Sequence, residues 1–272
     1  MLFFIPIIAF SILGGWAIAF FAFDHTNIGL CIGLSAAFAV AIFLLVALGF
    51  VLMIHFMGVG AKEGGKPCYS NRMRKKLSFL MDCAIQIFNV RIHKEGFEDL
   101  PTDEPFLVIA NHRSNIDPVV LERLLRKFKL AFIAKDSLFR APLIGKVLTK
   151  TGFLKLDRAD LGSGFEIVKY AQSYLDIGIS IGVFPEGTRG PSDTEMLPFK
   201  SGCFLIATKM RKPIVVTTLK GTHDINKWRF IKNHHIKAKV LKIYRYEDYK
   251  DMSVSALSEE IRNIMLADLQ KR

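Results

Sequence analysis

The chain has 272 residues, which leaves room for one sizeable catalytic domain plus an additional segment. Hydrophobic residues make up 51% of it and mean hydropathy is +0.29, yet all 37 Lys and Arg and 24 of the 25 acids lie in residues 62–272, where the net charge is +13. An apolar N-terminus joined to a basic body argues against a nucleic-acid binder and suits anionic lipid headgroups or an acidic substrate.

Met1 to Phe23 is apolar except for Ser11, Asp24 to Asn27 form a polar interruption, and Ile28 to Gly60 is apolar again apart from Ser35 and His55. About 20 apolar residues cross a bilayer, so each stretch is long enough. Residues 1–61 are therefore predicted to be a membrane-embedded helical hairpin. A cleaved signal peptide and a pair of helices lying in one leaflet are the alternatives, although the first stretch lacks the basic start of a signal. Lys62, Lys66, Arg72, Arg74, Lys75 and Lys76 follow the second stretch. By the positive-inside rule this places the body on the cytoplasmic face. Residues 62–90 read as a basic linker and a helix over 72–90. That helix is either an ordinary packed helix or an interfacial one holding the body at lipid depth.

Residues 91–272 alternate short apolar runs with helix-length segments. Strands are predicted at Phe106–Ala110, Leu130–Ala134, Phe153–Leu156, Ile179–Phe184, Ile214–Leu219 and Ile236–Tyr244. Between them, a helix over Pro118–Phe128 has Asp117 as its natural N-cap and Pro118 as its first residue. Ser163 to Glu166 fits a capping box that opens a helix ending near Asp176, with Gly178 just beyond. Ser201–Met210 is a further helix. Ser255 is placed to cap the last helix, whose Leu257, Ile261, Ile264, Met265 and Leu269 repeat at helical spacing. The pattern predicts an α/β fold with a substantially parallel sheet, whose sites collect where strands end.

Two loops carry candidate chemistry. In Ala110-Asn-His-Arg-Ser-Asn-Ile-Asp117, His112 and Asp117 are five apart and meet only if the chain turns between them, as a strand-to-helix junction does. A His oriented by a carboxylate is a general-base arrangement; the bland alternative is a loop His and a capping Asp. In Phe184-Pro-Glu-Gly-Thr-Arg189, Gly187 permits a tight turn, Thr188 adds a hydroxyl and Arg189 offers a planar fork of donors suited to phosphate. Glu186 is expected to hold Arg189 or a backbone amide. Arg158 follows another strand end, so two guanidiniums could converge on one dianion. From residue 209 to 245 there are eleven Lys or Arg against Asp224. This is either a solvated face or a docking surface for an acidic donor. Cys31, Cys68, Cys83 and Cys203 have no paired spacing, and no metal site is expected.

The stretch NHRSNID resembles the His-x4-Asp motif of the glycerolipid acyltransferases, the family of 1-acylglycerol-3-phosphate acyltransferases. GFLKLDR at 152–158, FPEGTR at 184–189 and KPIVV at 212–216 resemble that family's further blocks in the expected order. The last departs from the family pattern where a second proline is often found near Thr217. The resemblance implies a glycerolipid-acyltransferase-like sheet with flanking helices. It also implies transfer of a fatty acyl group from acyl-CoA or acyl carrier protein, as co-substrate rather than cofactor, to lysophosphatidic acid at the bilayer. His112 and Asp117 would be catalytic. Arg158, Glu186, Gly187, Thr188 and Arg189, with Lys135 and Lys200, would form the acceptor's phosphate site. Glycerol-3-phosphate or another lysophospholipid is the alternative acceptor, and a non-catalytic lipid-binding protein the alternative class.

Overall fold

A computed structural model describes residues 9, 11–17, 28–61, 68–157, 159–223, 225 and 233–271. The chain divides into two units, Met1–Gly60 and Ala61–Arg272. In the first, residues 11–17 form helix α1 and Ile28–Gly58 forms α2. The two pack where their residues are small. A Cβ on Gly15 would lie 2.3 Å from the Ser35 backbone, and one on Gly14 would lie 2.5 Å from the Phe38 ring. Such close approach is how apolar helices associate without a hydrophobic driving force. Ile32–Gly58 is long and apolar enough to cross a bilayer. The predicted turn at Asp24–Asn27, and Lys62 and Lys66 of the linker, lie outside the described residues.

The second unit is built on seven strands: β1 Val90–Glu95, β2 Leu107–Ala110, β3 Leu130–Lys135, β4 Leu154–Leu156, β5 Ser180–Val183, β6 Ile214–Lys220 and β7 His234–Tyr244. Their order in the sheet is β1-β7-β6-β2-β5-β3-β4. β6, β2, β5, β3 and β4 run parallel, and β7 reverses direction beside β6. All four residues of β2 and of β5 are buried. Strands covered on both faces must be apolar throughout, which is why they read as uninterrupted runs. Because the five central strands are parallel, the segments after β2, β3, β4 and β5 emerge at one edge. This edge carries His112, Lys135, Asp157 and Glu186.

Helices cover both faces: α3 Asn71–Ile87, α4 Asp117–Leu124, α5 Asp136–Phe139, α6 Ile144–Lys150, α7 Leu161–Asp176, α8 Leu205–Met210 after a 3-10 turn at Ser201–Phe204, α9 Tyr246–Tyr249 and α10 Val254–Gln270. α10 buries Leu257, Ile261, Met265 and Leu269, while α3 buries Leu77, Met81 and Ile85 within its own unit and exposes Arg72, Lys75, Lys76 and Phe79. α3 is thus a packed helix with a basic outer face.

Three expected caps are corrected. α7 starts two residues before Ser163, because Asp160 accepts from the Gly162 amide; Ser163 instead accepts from the Asp157 amide. α10 is capped by Ser253, not Ser255. Asp117 sits inside the first turn of α4 and caps nothing in it; Ile116 is the N-cap residue, and the Asp117 side chain faces the preceding loop.

Candidate active site at the C-terminal edge of the sheet

The turn between β2 and α4 brings His112 onto Asp117. Nδ1 of His112 lies 2.8 Å from Oδ2 of Asp117, whose side chain is fully buried while the imidazole stays partly open. The same Oδ2 accepts from the amides of Arg113 at 2.6 Å and Ser114 at 2.7 Å. Three donors on one oxygen fix the carboxylate and, through it, the ring. With the Nδ1 proton engaged, Nε2 carries the free lone pair of the neutral imidazole. One face of the ring stacks on Phe184, centroids 4.5 Å apart, and Phe184 in turn stacks on Phe132. Phe132 lies over Gly182, where a Cβ would approach its ring to 2.5 Å. That glycine leaves room for the aromatic stack beneath the imidazole.

Glu186 does not hold Arg189. Its Oε1 accepts from Arg113 Nη1 at 2.6 Å and from the His112 amide at 3.0 Å, and its Oε2 accepts from the Leu197 amide at 2.9 Å. Both Arg113 and Glu186 side chains are completely buried. Arg113 also donates to the His112 and Glu195 carbonyls, and the Gly190 amide donates to the His112 carbonyl at 2.8 Å. The two loops are therefore bound together by a buried ion pair flanked by main-chain hydrogen bonds. The expectation of a backbone-holding role for Glu186 matches this geometry; the expected partner Arg189 is replaced by Arg113.

Gly187 has φ +72°, and its amide bonds to the Phe184 carbonyl at 3.0 Å, closing the tight turn that FPEGTR requires. The turn leaves Thr188 and Arg189 exposed to solvent. Lys200 is exposed beside the same loop, its amide donating to the Pro185 carbonyl at 2.8 Å. Lys135 is exposed at the end of β3. Arg158 lies outside the described residues. Asn111, Arg113, Phe132 and Phe184 were not singled out by sequence. Asn111 clamps β6 through the Leu219 amide and carbonyl at 2.7 and 2.8 Å. Nothing in the sequence around Arg113 marks its pairing with Glu186, 73 residues further on. No group of three or more metal-ligating side chains occurs among the described residues.

A family model described as Acyltransferase matches residues 91–220. The 1-acyl-sn-glycerol-3-phosphate acyltransferase alpha of Mus musculus is 29% identical over 196 residues, covering 71% of this chain and 68% of that protein. The 1-acyl-sn-glycerol-3-phosphate acyltransferase of Helicobacter pylori is 27% identical over 228 residues, covering 84% and 90%. A chloroplastic 1-acyl-sn-glycerol-3-phosphate acyltransferase of Brassica napus is 38% identical over 132 residues, 48% of this chain; the chain spans only 38% of that relative's length. The crystal structure of the 1-acyl-sn-glycerophosphate acyltransferase of Thermotoga maritima shares the fold, with a TM-score of 0.61 at 23% identity over 86% of this chain and 91% of that one.

Proposed function

We infer that this chain is a member of the acyltransferase family and moves a fatty acyl group from an acyl thioester to the sn-2 hydroxyl of lysophosphatidic acid, giving phosphatidic acid. The observation that carries the reading is the hydrogen bond between His112 and a fully buried Asp117 at the open edge of a parallel sheet. In the reaction, Nε2 of His112 takes the proton of the acceptor hydroxyl as its oxygen attacks the thioester carbonyl. Asp117 steadies the imidazolium that forms. The tetrahedral intermediate collapses, the carbon–sulfur bond breaks, and the thiolate leaves with the proton returned by His112. No covalent acyl-enzyme is required: Ser114 is buried and lacks the surroundings of a nucleophile elbow.

The acceptor phosphate is assigned to the exposed side of the FPEGTR turn, where Arg189 supplies a bidentate fork, with Thr188, Lys200, Lys135 and Arg158 as further donors and Gly187 shaping the turn that presents them. Glu186 serves this site indirectly, by fixing the loop against Arg113. The apolar N-terminal helix and a lipid acceptor together support membrane association, and the basic residues after α2 support a body on the cytoplasmic face. Acyl-CoA and acyl carrier protein both satisfy the donor role.

The test is acyl transfer by purified protein, with lysophosphatidate, glycerol-3-phosphate, lysophosphatidylcholine and monoacylglycerol as acceptors and both thioesters as donors. Lysophosphatidate should be the fastest acceptor. Equal rates with the phosphate-free monoacylglycerol, or no transfer to any acceptor, would overturn the reading.

A further inference from the structure

The segment that runs from the end of β3 through α5 into the first turn of α6 displays apolar side chains where a connection is usually polar. In Asp136-Ser-Leu-Phe-Arg-Ala-Pro-Leu-Ile-Gly-Lys146, Leu138 is 49% exposed, Leu143 38% and Ile144 42%. Arg140 and Lys146 are exposed among them. The turn is firmly built. The Ala141 amide donates to the Leu138 carbonyl, that of Ile144 to Pro142 at 2.8 Å, and that of Gly145 to Ala141 at 3.0 Å. Gly145 lets α6 rest directly on the end of α5, since a Cβ there would lie 2.0 Å from the Phe139 carbonyl oxygen. The bond from Ile144 to Pro142, with φ +65° and ψ −54° at Leu143, is a γ-turn of the strained hand, rarely adopted by a branched residue. Strain combined with displayed apolar side chains opposes folding twice over, and such features cluster where something binds.

Position narrows what binds. The turn follows β3, at the same edge as His112, and on that edge Phe165 in α7 is also 74% exposed. Apolar side chains interspersed with Arg and Lys match the boundary of an anionic bilayer, with carbon at acyl depth and cations among headgroups.

We propose that the Leu138–Lys146 turn is a second membrane contact, inserting Leu138, Leu143 and Ile144 into an anionic lipid surface and holding the His112 edge at headgroup depth. This rests on the reading of the body as an enzyme acting on a membrane lipid. The probe is an environment-sensitive fluorescent amino acid placed at Leu143 in the full chain, reconstituted into phosphatidylglycerol-containing vesicles. The control carries it at Ile177, which is 63% exposed at the opposite edge of the sheet. The expected result is blue-shifted emission at 143, quenched by a nitroxide lipid, with water-like emission at 177. Water-like emission at both positions, or equal shifts at both, would overturn the proposal. A shift at 143 that lipid nitroxides do not quench would also overturn it, because protein would then cover the turn. A second arm replaces Leu143 and Ile144 with Asp. Transfer to bilayer-embedded lysophosphatidate should fall about tenfold, the order expected when two large apolar side chains lose part of their burial. Transfer to a short-chain acceptor dispersed as monomers should hold. Fluorescence does not depend on turnover, so failure of the enzymatic reading leaves this result separately readable.

Discussion

Glu186→Ala separates a structural from a phosphate-binding role for this acid. Removing the carboxylate leaves Arg113 charged and buried with both side chains at zero exposure in the parent. Breaking a buried pair in this way typically costs about 3–5 kcal/mol. The amides of His112 and Leu197 lose their acceptor as well, each at roughly 1–3 kcal/mol if water does not replace it. These costs are coupled and do not add in full, so the expected loss is about 3–6 kcal/mol. For a unit of this size each kcal/mol lowers Tm by about 2–4 °C, giving a drop on the order of 10–20 °C. Glu186→Gln keeps one acceptor but places an amide donor against another backbone donor, and should fall in between. The assay is thermal unfolding followed by circular dichroism of the purified full chain in detergent. A Glu186→Ala protein melting within about 2 °C of wild type, with only its acceptor KM raised, would refute the reasoning and return Glu186 to the phosphate site.

Asp117→Asn keeps the side-chain shape but can no longer hold both His112 in its working tautomer and two amides, so kcat should fall about 10³–10⁴-fold with a modest change in Tm, read by steady-state kinetics beside a melt. Gly190→Ala puts a Cβ 2.4 Å from Arg113 Nη1, so the buried pair must shift; activity and Tm should both fall, whereas Gly164→Ala, where a Cβ meets nothing within 4 Å, should be neutral or stabilising in the same melt. Burial pushes the Asp82 carboxyl up, but Arg126 and Arg123 outweigh it and hold it below the usual range. A lowered folded-state value means the stabilisation is present above about pH 3.9 and is lost as pH falls through the folded value. Asp82→Asn should therefore lower Tm slightly at neutral pH and leave a shallower loss on acidification below about pH 4.

The buried parallel strands were legible because burial on both faces demands unbroken apolar runs, as in Leu107–Ala110 and Ile179–Val183. β1 escaped notice for the opposite reason. Val90–Glu95 is an edge strand, largely exposed, and its sequence VRIHKE satisfies no core. α5 and α9 have four residues each, too short for any periodic signal. Cap positions slipped by three residues at α7 and by two at α10 because several Ser and Asp compete near each start and only the main-chain path selects among them. In the site, the five-residue spacing of His112 and Asp117 is local and so could be read from sequence. The Arg113–Glu186 pair joins residues 73 apart, and nothing in either loop announces the other. Arg189 was assigned to Glu186 by proximity in sequence, but the turn at Gly187 sends the two side chains apart, one buried and one exposed.

The central claim, that His112 is the base for acyl transfer, is tested most directly by the rate of lysophosphatidate acylation by His112→Ala at saturating substrates, measured beside its melting curve. Among the described residues the imidazole's side-chain hydrogen bond is to Asp117, and the buried Arg113–Glu186 pair that binds the loops does not involve its ring. Removing it should therefore leave Tm close to wild type while the rate falls by about 10³-fold or more. A folded His112→Ala protein that still turns over within a few-fold of wild type would contradict the account.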